Sequence, residues 1–318
     1  MKLIRTRLLL PLLAALFLTV GLSACGGSPA GGETAPEGGG ASAPGGSQTE
    51  GEGSGGGSEL SPAMQAVVDS VTAENAQATG VCGPDIVWYF KDGVLVLEGT
   101  GPMTDYGYFD DQDHGNSPWY DFSDEISMIY VPEGVTTVGS WAFGGTSQLS
   151  RVVLPSTLES VGGEAFSKSG LTGITIPNSV TEIGDYAFSN CEQLKEISIP
   201  NSVTKISNGM FYGCSQLQTV DIPNSVTGID EHAFEDCSAL KELTIPASVT
   251  TLGGKIYNSG RLIFLGDAPV PMYEDDVNFY NNFFNYGYDE VTVVYYGEGF
   301  EPYIEAAEGH PNIQWVKG

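Results

Sequence analysis

Ile176-Pro177-Asn178-Ser179-Val180-Thr181-Glu182-Ile183-Gly184-Asp185-Tyr186-Ala187-Phe188 is one of several near-copies of a single phrase. Other copies open at Val131-Pro132, Leu154-Pro155, Ile199-Pro200 and Ile222-Pro223, and a looser one opens at Ile245-Pro246. The prolines at 132, 155, 177, 200, 223 and 246 are spaced by 23, 22, 23, 23 and 23 residues. A fixed period of this size means stacked coils in place of one globular core. It shifts the functional expectation from catalysis toward binding.

Each block divides into two extended pieces. Leu194-x-x-Ile197-x-Ile199 alternates with the period of a strand that buries one face. Pro200 then ends that ladder, because proline has no N–H to donate. Val180, Ile183 and Gly184 outline a second short extended piece with a bend at the glycine. Ala187-Phe188 points into the coil, and Cys191 closes the turn before the next strand.

Stacking makes every position a column. Phe143, Phe166, Phe188, Phe211 and Phe234, continued by Tyr257, form an aromatic column. Ala142, Ala165, Ala187, Met210 and Ala233 run beside it, and Leu149, Leu171, Leu194, Leu217 and Leu240 open the strands. One coil buries none of these faces alone; its neighbours must do so.

The phrase Leu-x-x-Ile-x-Ile-Pro-x-x-Val-Thr-x-Ile-Gly-x-x-Ala-Phe-x-x-Cys resembles the BspA-like class of bacterial leucine-rich repeats over residues 126–260. Cys82-Gly83, Trp88, Leu95 to Gly101, Met103 to Tyr106 and Pro118-Trp119-Tyr120 resemble that family's β-rich N-terminal cap. Phe264, Gly266 to Pro269, Val291 to Tyr296 and Ile313 to Val316 resemble its C-terminal cap. The resemblance implies a β-rich solenoid. It is a right-handed coil of about six 22- to 23-residue repeats, between an N-terminal cap over 80–125 and a C-terminal cap over 261–318. It also implies a surface protein that binds other molecules. Two departures stand out: Ser169 replaces the cysteine in coil two, and coil six reads Lys255-Ile256-Tyr257-Asn258 without Ala-Phe.

Outside the repeats the chain changes character. Lys2, Arg5 and Arg7 precede the apolar run from Leu8 to Val20, a secretory pattern. Leu22-Ser23-Ala24-Cys25 resembles a bacterial lipobox, which implies cleavage after residue 24 and a lipid on Cys25. The alternative is an ordinary secretory signal with an incidental cysteine. Residues 25–79 are expected to be a flexible tether. Gly26 to Ser58 has no aliphatic residue larger than alanine, and 61–79 reads as either a short helix or more linker. The 33 residues from Gly26 to Ser58 have an r.m.s. span of roughly 30 Å as free coil. Loss of residues 1–24 takes the formal charge from −28 to −31. That acidity speaks against nucleic acid partners and against lying on anionic lipid, leaving the Cys25 lipid as the membrane contact.

Few residues suggest chemistry. Cys191, Cys214 and Cys237 fall in one column with Thr146 and Ser169. A disulfide or metal site is one reading. Small buried turn residues are the favoured one, since three in-line thiols cannot all pair and a straight ladder is a poor tetrahedral cage. Cys82 is expected inside the N-terminal cap. No nucleophile has a partnered base, and no phosphate loop or metal motif is present, so neither catalysis nor a cofactor or metal is expected. Asp110, Asp111 and Asp113 begin a calcium-like pattern that then fails, which favours a solvated loop.

Binding residues are sought where the repeat varies. The outward sheet positions, from Met128 and Tyr130 through Arg151 and Val153 to Glu242 and Thr244, hold one large aromatic, Tyr130. The turn column Trp141, Glu164, Tyr186, Gly209 and His232 varies freely and is expected to face solvent. Trp141, Tyr186 and His232 are its candidate partner contacts. Seven aromatics crowd Tyr273 to Tyr288; Phe279, Phe283 and Phe284 are read as a lid on the last coil, and Tyr280, Tyr286 and Tyr288 as a platform for sugar rings or a protein. The leading expectation is an exported, lipid-anchored, monomeric surface protein that binds a protein or matrix ligand. A glycan-binding module and a purely structural envelope spacer are the alternatives.

Overall fold

A computed structural model of the chain describes residues 60–107, 117–257, 260–271, 292–306 and 313–318. The signal segment with Cys25, the acidic loop from Asp110 to Gly115 and the aromatic run with Tyr280, Tyr286 and Tyr288 lie outside the described residues.

The described chain opens with helix α1 (Pro62–Asp69), started by Ser61, whose side chain accepts from the Met64 N–H, and by proline in the first turn. Three antiparallel strands follow, β1 (Ala78–Gly83), β2 (Ile86–Lys91) and β3 (Val94–Gly99). Trp88, Phe90, Leu95 and Leu97 are buried on one face of β2 and β3, and on the other Tyr89 and Val94 lie half-buried beside the buried Val96. The expected tether boundary at residue 79 is therefore too late, since both α1 and the start of β1 precede it.

From β3 the chain winds into a β-solenoid of two parallel ladders. The first runs through β5 (Met128–Tyr130) and β7 (Arg151–Val153), resumes at β10 (Glu196–Ser198) and β12 (Thr219–Asp221), and ends in a four-stranded sheet. That sheet is β14 (Glu242–Ile245), β16 (Arg261–Phe264), β18 (Thr292–Tyr296) and β19 (Ile313–Lys317), all parallel. The second ladder stacks β4 (Gly101–Pro102), β6 (Val135–Val138), β8 (Ser160–Val161) and β9 (Glu182–Ile183). It continues with β11 (Lys205–Ile206), β13 (Gly228–Ile229), β15 (Thr251–Leu252) and β17 (Val270–Pro271). Register follows the repeat, with Ile129 beside Val152, Val161 beside Ile183 and Ile206 beside Ile229.

The first ladder breaks at the 22-residue coil. There Ser169 lies two residues before Leu171, where Thr146 lies three before Leu149. The missing residue shortens the run into the strand, and only an isolated bridge from Thr175 to Ser198 remains.

The Ile-Pro phrase is the corner between the ladders. Each proline carbonyl accepts the N–H of the residue three positions on, a leucine at 158 and a valine elsewhere: Val180 to Pro177 at 3.1 Å, Val203 to Pro200 at 3.0 Å and Val226 to Pro223 at 3.0 Å. This is the closing bond of a β-turn, so proline stops one ladder with its nitrogen and anchors the bend with its oxygen. The glycines that close the second-ladder strands, Gly139, Gly162, Gly184 and Gly253, serve stacking. A Cβ on Gly184 would lie 2.5 Å from the Gly163 nitrogen, and one on Gly162 would lie 2.4 Å from that of Ser140. Where the column holds Asp230 instead, its buried carboxylate pairs with Lys205 Nζ at 2.8 Å.

The core is a spine of rings. Phe143, Phe166, Phe188, Phe211 and Phe234 are each fully buried, with successive centroids 5.4, 5.5, 5.9 and 5.4 Å apart. Trp119 stacks on Phe143 at 5.4 Å and seats its Nε1–H on the Ala142 carbonyl at 2.8 Å. Tyr257 pairs with Phe234 at the other end and donates its hydroxyl to the Leu240 carbonyl at 2.6 Å. Both end residues present an apolar ring inward and spend their polar tip on the backbone.

Candidate functional site

The turn between the second ladder and the spine carries the variable column. Its backbone is left-handed in every coil: φ is +58° at Trp141, +52° at Glu164, +57° at Tyr186, +56° at Gly209, +58° at His232 and +50° at Lys255. Non-glycine residues seldom adopt this conformation. The stacking enforces it here, because each N–H must reach the next coil. Trp141 donates to the Gly163 carbonyl at 2.9 Å, Tyr186 to that of Asn208 at 2.8 Å and His232 to that of Gly254 at 3.2 Å.

The side chains do not stand free in solvent as the sequence suggests. Trp141, Tyr186 and His232 are all half-buried, and Gly209 is buried. The Tyr186 ring lies over the next coil, so that a Cβ on Gly209 would fall 2.1 Å from Tyr186 Cε1. The Trp141 ring covers Gly144, whose added Cβ would lie 3.1 Å from Trp141 Cε3. Both rings lie down over glycines, Tyr186 on the next coil and Trp141 on its own.

Around these rings the edge is acidic. Burial raises the Tyr186 hydroxyl above the usual phenol range, and the charges of Asp185, Glu164, Glu231 and Glu235 raise it further. Tyr212 shifts the same way, first through Asp236, then through burial and Glu235. Both phenols keep a hydroxyl donor among carboxylates. His232 Nδ1 meets Glu235 Oε2 at 2.5 Å. The edge thus offers aromatic faces, phenolic donors and carboxylate acceptors in one strip. Tyr212 is a member that the sequence reading passed over, because it belongs to a column of Gly144, Ser167 and Ser189 with no aromatic pattern.

The buried thiols are structural. Cys191, Cys214 and Cys237 donate to the carbonyls of Phe166, Phe188 and Phe211 at 3.1, 3.1 and 3.2 Å, one coil back in each case. Thr146 does the equivalent within its own coil, to Phe143 at 2.7 Å. Desolvation raises Cys191 to about 11 and Cys237 to about 12, and lifts Cys214 well above its usual value. Cys82, buried in the first sheet, is pushed up to about 12 by the same cause. All four are free thiols, held protonated, and poor nucleophiles. Among the described residues no three His, Cys, Asp or Glu side chains come together as a metal site.

Six repeat copies spanning residues 116–239 and 160–264 match the BspA type leucine-rich repeat region. The repeat region belongs to this family. No curated protein matches the chain. Among solved structures, a leucine-rich repeat protein from Bacteroides ovatus is 19% identical, with 74% of this chain and 76% of that one covered and a TM-score of 0.42. A leucine-rich cell surface protein from Faecalibacterium prausnitzii is 27% identical, with 61% of this chain and 56% of that one covered and a TM-score of 0.46. The leucine-rich repeat protein of T. pallidum is 24% identical over 61% of this chain and 84% of its own, with a TM-score of 0.40. The BspA-type repeats support a protein-interaction module, built as a solenoid with a constant interior and a variable edge. Among the described residues no helix is long and apolar enough to cross a membrane.

Proposed function

We propose that this chain is an exported, non-catalytic adhesion or docking protein, held to the bacterial membrane by a lipid on Cys25. Its solenoid binds a protein partner along the left-handed turn edge. One observation carries the reading: Trp141, Tyr186 and His232 occupy backbone that Gly209 fills without strain. A non-glycine residue in this conformation costs on the order of 1–3 kcal/mol. Aromatic and imidazole side chains kept at that cost, and half-exposed among carboxylates, are better explained by contact than by stability. The acidic rim favours a partner face with basic residues.

The test is photo-crosslinking from position 186 on intact cells, with positions 219 and 242 on the sheet face as controls. A discrete crosslinked partner at 186, lost on Trp141→Ser, supports the turn edge. Crosslinks at 219 or 242 alone move the site to the sheet, and none at any position favours a spacer role. Labelled fatty acid should enter the unchanged protein and not the Cys25→Ala variant. Equal labelling of the two would overturn the anchor.

A further inference from the structure

The outward face of the first ladder is apolar beneath one element and again over its last strands, at Ile263, Val293, Tyr295 and Val316. Tyr89, Val94, Val96, Met128, Tyr130 and Val153 form a strip across β2, β3, β5 and β7. Farther along, the same face carries exposed Thr175, Glu196, Ser198, Thr219, Asp221 and Glu242. The strip is covered by α1 and its flanks, through Leu60, Met64, Val68 and Val71. Val68, Val71, Val96 and Met128 retain 5, 4, 3 and 8% of their exposure, so this is a second small core outside the solenoid. Met128, expected to face solvent, is buried for this reason.

The cover is attached by side chains alone. Backbone hydrogen bonds of residues 61–76 close within that segment, and the first to reach the sheet is Gln77 to the Phe90 carbonyl at 2.8 Å. The side-chain bonds of Gln65, Ser70 and Asn75 also stay within it. At 8 residues α1 is below the length of about 12–15 at which an isolated helix begins to persist in water. Its termini lack help from charge, with no acidic residue in the first turn and no basic one in the last. Once lifted from the strip it has little reason to remain helical.

The contacts have the form of a peptide in a groove. Met64 and Val68 on α1, with Leu60 just before it and Val71 just after it, recur at spacings of 4, 4 and 3, close to the anchor pattern of an amphipathic helix laid on an apolar surface. We infer that α1 is a built-in occupant of a docking strip, and that the strip receives an amphipathic helix of a protein partner with this anchor spacing, which displaces α1. The inference rests on the chain being a protein-interaction module, and it is independent of the turn edge.

The probe is a fluorescein-labelled peptide of residues 59–76, added to the full chain. The chain carrying Met64→Asp and Val68→Asp should bind it at least about tenfold more tightly than the unchanged chain, whose strip is occupied. Adding Met128→Glu to the opened chain should abolish binding, and a peptide of shuffled order should not bind. In the unchanged chain, amides 64–70 should exchange about 100-fold or more faster than those of β5 and β7. Should the double variant melt the repeats, Leu60→Asp, at a half-buried position, replaces it with the same expected gain in binding. Exchange of α1 as slow as that of β5, no peptide binding by either opened chain, or binding indifferent to Met128→Glu would each overturn the inference. So would capture of the opened chain by phosphatidylcholine vesicles with no affinity for the peptide. Loss of the crosslink at position 186 with peptide binding intact would remove the turn edge and leave the strip standing.

Discussion

Phe188 and Tyr186 are two residues apart on one turn, yet they obey opposite rules. Phe188 is completely buried, stacked 5.5 Å from Phe166, and its column repeats the same ring through five coils. Tyr186 is half-buried, and its column runs Trp, Glu, Tyr, Gly, His, Lys. Both backbones are held by the same inter-coil hydrogen bonds, Tyr186 to Asn208 at 2.8 Å and Phe188 to Met210 at 3.0 Å. The ladder supplies the geometry in both places, and side-chain packing restricts the sequence in only one. A solenoid separates constrained positions from free ones by a step of two residues.

Alkaline pH tests the whole interior at once. The thiols of Cys82, Cys191 and Cys237 stand at about 12, 11 and 12 in the fold against an ordinary value of 9.0. A raised folded-state value means that the native chain holds its protons longer than the unfolded one. The stabilisation is complete below pH 9 and is lost as pH climbs toward 11 to 12, at about 1.4 kcal/mol per pH unit for each thiol. Denaturant midpoints should fall steeply over that window, and less steeply in Cys191→Ala. A flat profile would mean that the thiols are not desolvated.

Phe188→Ala should cost about 3–5 kcal/mol, read as a lower urea midpoint, because the rings above and below cannot close the gap. An unchanged midpoint would break the spine. Gly209→Ala should cost less, about 1–3 kcal/mol, from a left-handed alanine and a clash with the Tyr186 ring. Placing it in a Tyr186→Gly background should recover part of the loss, with a coupling of about 0.5–3 kcal/mol in a double-mutant cycle. Zero coupling would show that the ring does not rest on Gly209. Tyr186→Gly alone should change stability least, by about 1 kcal/mol or less, since relief of backbone strain offsets the lost packing. That variant sharpens the contrast most: the turn-edge reading requires partner binding to fall while the melting curve barely moves.

The N-terminal region shows where sequence reading falls short. Leu60, Met64, Val68 and Val71 carry a helical spacing, but among polar neighbours it is too brief to separate a helix from a linker. Its meaning depends on Val96 and Met128, 25 or more residues away, which supply the surface it covers. The column of Trp141, Tyr186 and His232 was legible as variation, yet variation alone does not reveal a half-buried ring lying across the next coil. Tyr212 was missed because its acidic company, Asp236 and Glu235, forms only when the turn is folded.

The amino-acid sequence by itself determined the solenoid, its period, its spine and its corner prolines. These rest on residues repeated in register, and a repeated apolar face has few ways to be buried other than by stacking on its own copies. Tertiary structure alone decided which outward faces are free. It bent Trp141, Tyr186 and His232 into left-handed backbone, laid the Tyr186 ring on the next coil and turned Trp141 and His232 onto their own, and closed α1 over one end of the sheet. Those outcomes come from contacts between unrelated residues, which no periodicity encodes.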